Sequence, residues 1–120
     1  MLSFELRRLE IIDGRQSFER FIVDGRDLLQ EFEQSLEERY RSEMRTIYAW
    51  MQMVADLSPV PGTIYHPISD GTDGIREYEF KSKHLRVYAF AKPNGKIVVR
   101  GGKKKSQRKD IKRLRELKKQ

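Results

Sequence analysis

Cysteine is absent from this chain of 120 residues. Its absence excludes a disulfide framework, a thiol nucleophile and any metal site with cysteine ligands. There are only two histidines, His66 and His84, eighteen residues apart, and no acidic loop has the spacing of a calcium site. We therefore expect a protein that holds no metal and needs no cofactor.

Long hydrophobic runs and the common phosphate-binding motifs are also lacking. The opening segment MLSFELRRLE places charged residues where a signal peptide needs an apolar core, and no run approaches the roughly 20 apolar residues of a membrane helix. The chain contains no GxxxxGK[ST], GxGxxG or HExxH motif, and no serine stands in a nucleophile elbow. We expect a cytoplasmic protein without a membrane partner.

Charge is abundant and unevenly distributed. Charged residues make up 36% of the chain and the net charge is +7, while a hydrophobic content of 38% suffices for one domain of this length. Residues 101–120 hold ten Lys/Arg against two acidic residues, a net +8, whereas the first hundred residues hold 15 basic and 16 acidic groups. Such a localised field predicts a polyanion or an acidic protein as partner, and the alternative is a solvated terminus that aids solubility.

The periodicity of apolar residues predicts one α+β domain over residues 1–120. Residues 2–8 alternate between apolar and polar, which indicates a half-buried strand. Residues 26–57 carry an apolar residue at every third or fourth position, which predicts a pair of helices. We place the N-cap of the first helix at Asp24 and the break near Ser35, where Ser35-Leu36-Glu37-Glu38 matches a capping box. Between these elements, Phe18, Phe21 and Ile22 indicate one face of a short helix.

The second half of the chain predicts a loop over residues 62–74 and a three-stranded antiparallel meander over residues 75–100. Pro93-Asn94-Gly95 supplies the last tight turn of the meander. Residues 103–119 then predict a basic tail helix, capped by Ser106, with a narrow apolar stripe of Ile111, Leu114 and Leu117. In the middle strand, Leu85, Val87 and Ala89 should face the helices, which leaves His84, Arg86, Tyr88 and Phe90 on an open face.

That predicted open face combines cations with aromatic rings. Cations neutralise phosphates and aromatic faces stack on unpaired bases, so the combination suits single-stranded RNA. The alternative to RNA binding is that these residues are ordinary solvated surface side chains. The predicted RNA- or ribosome-binding residues are Lys81, Lys83, Tyr88, Arg100, Lys103, Lys105, Arg108 and Lys109.

Three segments carry a family resemblance: residues 74–80 (GIREYEF), 84–88 (HLRVY) and 96–107 (KIVVRGGKKKSQ). With the order strand, helix pair, meander and basic tail, the chain resembles the RelE/ParE superfamily of type II toxins, most closely its HigB-like, phage-derived branch. The resemblance covers about residues 26–115. It implies a ribosome-dependent, metal-independent endoribonuclease, or mRNA interferase, that is silenced by a cognate antitoxin, expected to be a helix-turn-helix protein.

The resemblance also implies roles for particular residues. Arg86 matches the family's arginine in the second meander strand and is expected to stabilise the transition state. Lys104 matches the basic residue after the last strand, with Lys103 and Lys105 as alternatives, and His84 is the histidine placed for proton transfer. The expected catalytic residues are thus Arg86, Lys104 and His84.

Two segments of the chain depart from the family's pattern. Glu77 and Glu79 stand where relatives carry basic residues, and the tail helix lacks the tyrosine or histidine that many relatives use. Two further hypotheses therefore remain open. The same fold can act by binding alone, as a gyrase poison or an RNA- or ribosome-binding module, or the chain can be a basic module that docks an acidic protein through residues 103–119.

Overall fold

The computed structural model describes residues 3–68 and 76–118, and these residues form one sheet and three α-helices. The strands are β1 (Phe4–Arg8), β2 (Ser17–Val23), β3 (Arg26–Asp27), β4 (Tyr65–Ile68), β5 (Glu77–Lys81), β6 (Leu85–Lys92) and β7 (Gly95–Lys103). The helices are α1 (Leu28–Ser35), α2 (Glu38–Ala55) and α3 (Gln107–Lys118), and a 3₁₀ turn (Lys104–Ser106) leads into α3. The predicted α+β class is confirmed.

The seven strands form a mixed sheet in the order β1-β2-β7-β6-β5-β4, with β3 paired to the end of β2. β2 and β7 run parallel, and the other described pairs are antiparallel. β5, β6 and β7 form the predicted meander. Its last turn depends on Asn94, which has a φ of 60°, an angle that asparagine tolerates better than most residues.

Residues 17–23 form strand β2, so the short helix predicted there is wrong. Phe18 and Ile22 are both buried, and a spacing of four residues keeps two side chains on one side of a strand as well as of a helix. Pairing with β1 and β7 on its two sides fixes the extended form. Asp24 and Gly25, with φ angles of 50° and 76°, form the turn that joins β2 to β3.

The helix pair is confirmed, with the break at residues 36–37, beside the predicted Ser35. Leu36 has an extended backbone and its side chain is buried in the core, so the helix is interrupted where Leu36 packs. The predicted caps are wrong. Asp27, not Asp24, caps α1 by accepting the N–H of Gln30 at 3.0 Å. The Ser35 hydroxyl donates to a carbonyl within α1 and Glu37 precedes α2 without a side-chain cap, so no capping box forms.

Two edges of the sheet differ from expectation. Tyr65–Ile68 were predicted as loop but form β4, and Pro67 is accommodated because an edge strand can leave one side without a donor. Residues 69–74 of that predicted loop, and Ile75, lie outside the described residues. At the other edge all of β1 is exposed, so its predicted half-burial is wrong.

Two cores lie on opposite faces of the sheet. The larger core packs the helix pair against the face that carries Leu85, Val87 and Ala89, as predicted. The smaller core, around Tyr88 and Phe90, lies on the other face, where Ile111 of α3 packs against it. The predicted stripe residues Leu114 and Leu117 lie outside the described side chains. Among the described helices, none has the length and apolar content to cross a membrane.

Candidate functional site

His84 lies in the turn between β5 and β6, where α2 approaches the sheet. Its ring Nδ1 is 2.7 Å from Glu43 Oε2, and its main-chain N–H donates to Glu43 Oε1 at 2.9 Å. The Ser82 hydroxyl donates to the same Oε1 at 2.5 Å. The Glu43 carboxylate, projecting from α2, therefore fixes both the main chain and the ring of His84.

The Glu43 contact leaves the other ring nitrogen of His84 for chemistry. With Nδ1 donating to the carboxylate, Nε2 is the atom that can accept or release a proton, and the side chain is 46% exposed. Burial raises the pKa of Glu43, but hydrogen bonds from Ser82 and His84 lower it by more, so its pKa lies below the ordinary value. A carboxylate that stays charged stabilises the imidazolium that forms when Nε2 takes a proton.

An aromatic ring and two cations lie beside this pair, and both cations, Arg39 and Lys103, are also paired with Glu37, at 3.0 and 3.7 Å. The Tyr40 ring lies 5.2 Å from the His84 ring, with the Arg39 guanidinium 4.7 Å and the Lys103 ammonium 5.2 Å from the Tyr40 centroid. The N–H of the exposed Lys104 donates to the His84 carbonyl at 2.8 Å. We call this group the His84 site; it comprises Tyr40, Glu43, Ser82, His84, Lys103 and Lys104.

Arg86 does not share an open face with His84, so that prediction is wrong. Arg86 is only 6% exposed. Its guanidinium donates to the carbonyls of Ser82 at 2.7 Å and Leu85 at 2.8 Å. Because the Ser82 hydroxyl binds Glu43, Ser82 connects the buried Arg86 to the His84 site. Arg86 therefore braces the turn that carries His84.

Further charged groups are buried between the sheet and α3. Glu79 accepts from the side-chain amide of Gln107 at 2.6 Å and lies 3.9 Å from Arg86 Nε. Asp110 lies 3.2 Å from Arg100 and accepts from Ser106 at 2.7 Å. We call this group the α3-covered cluster; it comprises Glu79, Arg86, Tyr88, Arg100, Gln107 and Asp110.

Tyr88 lies at the centre of the α3-covered cluster and is fully buried. The prediction that its ring is open for stacking on RNA is therefore wrong. Burial, and then the charges of Glu79 and Asp110, raise the pKa of Tyr88, so its hydroxyl stays protonated. That hydroxyl has no hydrogen-bond partner among the described residues. The cause of the burial is α3, which lies over this face of the sheet.

The structure divides the predicted binding cations, together with the predicted catalytic residue Lys104, into two groups. Lys83, Lys104, Lys105, Arg108 and Lys109 are exposed, and they lie on the β5–β6 turn, the 3₁₀ turn and the start of α3. Lys81, Arg100 and Lys103 are half-buried, and Arg100 is held by Asp110. The exposed cations therefore surround the end of the sheet that carries His84.

Glu43 and Tyr40 belong to the site but were not predicted from the sequence. Both lie within the regular pattern of α2, and Glu43 is 41 residues from His84. No local motif reports a contact of that range; only the packing of α2 against the β5–β6 turn creates it. Among residues 3–68 and 76–118, no three His, Asp or Glu side chains converge in a way that could hold a metal ion.

Comparison of the chain with protein-family models, curated proteins and solved structures found no match.

Proposed function

We propose that the chain is the toxin of a type II toxin–antitoxin pair, and that it is a ribosome-dependent endoribonuclease that cuts mRNA at the His84 site. The observation that carries the proposal is the Glu43–His84 contact, which holds Nδ1 of a ring whose side chain is 46% exposed and leaves Nε2 for proton exchange. Imidazole is the side chain that ordinarily exchanges protons near neutral pH. Ammonium groups attract phosphate, and the half-buried Tyr40 ring offers an aromatic surface for a base.

The proposed reaction is an internal transfer at phosphorus. His84 Nε2 accepts the proton of a ribose 2′-hydroxyl, whose oxygen attacks the adjacent phosphorus. The bond from phosphorus to the 5′ oxygen breaks, giving a 2′,3′-cyclic phosphate and a 5′-hydroxyl whose proton comes from solvent. Glu43 stabilises the imidazolium, and Lys104 supplies positive charge to the phosphate. Arg86, being buried, acts in this scheme on the position of the turn.

The partners follow from charge and from the family resemblance. The exposed cations Lys105, Arg108 and Lys109 extend the basic surface beyond the His84 site, as contact with ribosomal RNA requires. The resemblance adds a cognate antitoxin, a helix-turn-helix protein that blocks the toxin in the cytoplasm. The ribosome aligns the mRNA, so the protein itself supplies few groups to the reaction.

The test is expression of the chain without an antitoxin, with the ends of cellular mRNA mapped. We expect growth arrest and cuts within translated codons. His84→Gln should lower the cleavage rate by about 100- to 10,000-fold, the usual contribution of a general base. Glu10→Gln, at an exposed residue outside both the His84 site and the α3-covered cluster, is the control and should cleave normally. Growth arrest with intact mRNA would rule out the endoribonuclease.

The burial of Arg86 and Tyr88 favours a second candidate function, binding without cleavage. In this case the exposed lysines hold RNA or the ribosome and arrest translation without cutting. Binding should then weaken steeply as salt rises, because phosphate contacts release counterions. Accumulation of cleaved supercoiled plasmid would instead identify a gyrase poison. RNA binding that is absent or insensitive to salt would favour the module that docks an acidic protein.

A further inference from the structure

Strand β1 ends the sheet, and one of its edges pairs with no strand of residues 3–68 and 76–118. The N–H of Asp24 donates to Ser3, and the N–H of Leu9 donates to Phe18. Alternate residues of an antiparallel strand bond to the same neighbour, so the odd-numbered residues of 3–9 turn their main chain toward β2. The main-chain groups of Phe4, Leu6 and Arg8 therefore point toward the open edge.

The same strand exposes apolar side chains. Phe4 is 38% exposed and Leu6 is 45% exposed. Phe4 stacks on Phe21 of β2 with ring centroids 5.1 Å apart, which fixes the direction of this face. An edge with free main-chain groups and exposed apolar side chains is a template for a further strand.

We propose that two copies of the chain pair antiparallel through β1, with Leu6 of each copy on the two-fold axis. In this register Glu5 of one copy faces Arg7 of the partner subunit, and Phe4 faces Arg8 of the partner subunit. Within one chain Arg7 Nε already lies 2.5 Å from Glu5 Oε2. Pairing extends that contact into a ring of four alternating charges.

Other registers lose this complementarity. A parallel pairing of β1 with itself sets Glu5 against Glu5 of the partner subunit, which is repulsive. Antiparallel registers centred on Phe4 or Arg8 shorten the overlap and remove the contact between Glu5 and Arg7. The register centred on Leu6 alone among these joins opposite charges along the full strand.

The dimer is independent of the proposed function, since β1 contributes no residue to the His84 site. Two strands of five residues make a small interface, so we expect a dissociation constant on the order of micromolar. Sedimentation of the full chain over a range of concentrations should show a monomer–dimer equilibrium. A monomer at every concentration up to about 1 mM would overturn the proposal.

Charge exchange tests the register. Glu5→Arg or Arg7→Glu alone sets like charges across the axis and should weaken the dimer at least about tenfold, whereas Glu5→Arg with Arg7→Glu restores opposite charges and should recover it. Arg26→Glu, which breaks another exposed ion pair, is the matched control and should leave dimerisation unchanged. A dimer insensitive to both single changes would use another surface and would refute this one. Circular dichroism checks that each variant is folded.

Cysteine cross-linking gives an independent readout, because the chain has no cysteine of its own. Facing residues of a non-hydrogen-bonded antiparallel pair have Cα atoms about 4.5 Å apart, within disulfide range. Under mild oxidation, Glu5→Cys mixed with Arg7→Cys should form disulfide-linked dimers well above the level of either variant alone. Equal cross-linking in all three samples would contradict the register.

Discussion

The two faces of the central strands are equally buried but are built from different chemistry. On the side of α1 and α2, Phe80, Val87 and Val98 lie in an apolar core. On the side of α3, the neighbouring positions Glu79 and Arg86 are just as inaccessible to water but carry charge. Strand alternation alone places these opposite groups one residue apart.

This contrast separates stability from function. Apolar burial contributes favourably wherever packing is tight, whereas buried charges must recover their lost hydration from their partners. On the α3 side that recovery is incomplete, because Arg86 Nε and the Tyr88 hydroxyl lack hydrogen-bond partners among the described residues. We infer that the face packed against α1 and α2 supplies most of the stability. The α3-covered cluster instead positions the turn that carries His84.

The largest expected effect on stability comes from a loss of packing on the face that lies against α1 and α2. Phe80 is fully buried and lies in the core beside Phe18. Phe80→Ala should lower the free energy of unfolding by about 3–5 kcal/mol, the cost of an emptied aromatic site. Urea unfolding measures the loss. Ile11→Ala, at an exposed apolar residue, should change stability by no more than about 0.5 kcal/mol.

A smaller loss of stability is expected on the α3 side, and a second substitution there should restore most of it. Glu79→Leu leaves the buried guanidinium of Arg86 without a neighbouring carboxylate. It should lower the free energy of unfolding by about 3 kcal/mol. Glu79→Leu combined with Arg86→Leu replaces both charges by apolar groups and should regain most of that loss. The same urea unfolding measures both variants.

If the double variant lost as much free energy of unfolding as the two single variants together, the buried charges would be net stabilising. That result would contradict the contrast between the two faces. If the double variant regains stability but no longer cleaves mRNA or arrests growth, the role of the α3-covered cluster in positioning His84 is supported.

The sequence predicted the elements governed by local pattern and missed those set by long-range pairing. Helical periodicity identified α1 and α2, and alternation identified the meander, because each signal lies within one segment. β2 was mistaken for a helix because its parallel partner β7 is distant in the chain. Arg86 was placed on an open face because alternation reports which side a residue faces, while the covering of that side by α3 depends on tertiary contacts.

The smallest expected effect concerns the link between the helix pair and the His84 turn. Because the pKa of Glu43 is lowered in the folded protein, its contribution to stability is present above the ordinary pKa of a glutamate and is lost as pH falls through the lowered value. Glu43→Gln should therefore cost about 1 kcal/mol at pH 7. The difference from the unchanged protein should shrink below about pH 4, as measured by urea unfolding across pH. Glu10→Gln, at an exposed carboxylate outside the His84 site, is the control and should change the free energy of unfolding at pH 7 by no more than about 0.5 kcal/mol. If the stability difference between Glu43→Gln and the unchanged protein stayed constant down to about pH 3, the charge of Glu43 would play no part in holding His84. The proposed proton transfer by His84 would then lose its electrostatic support.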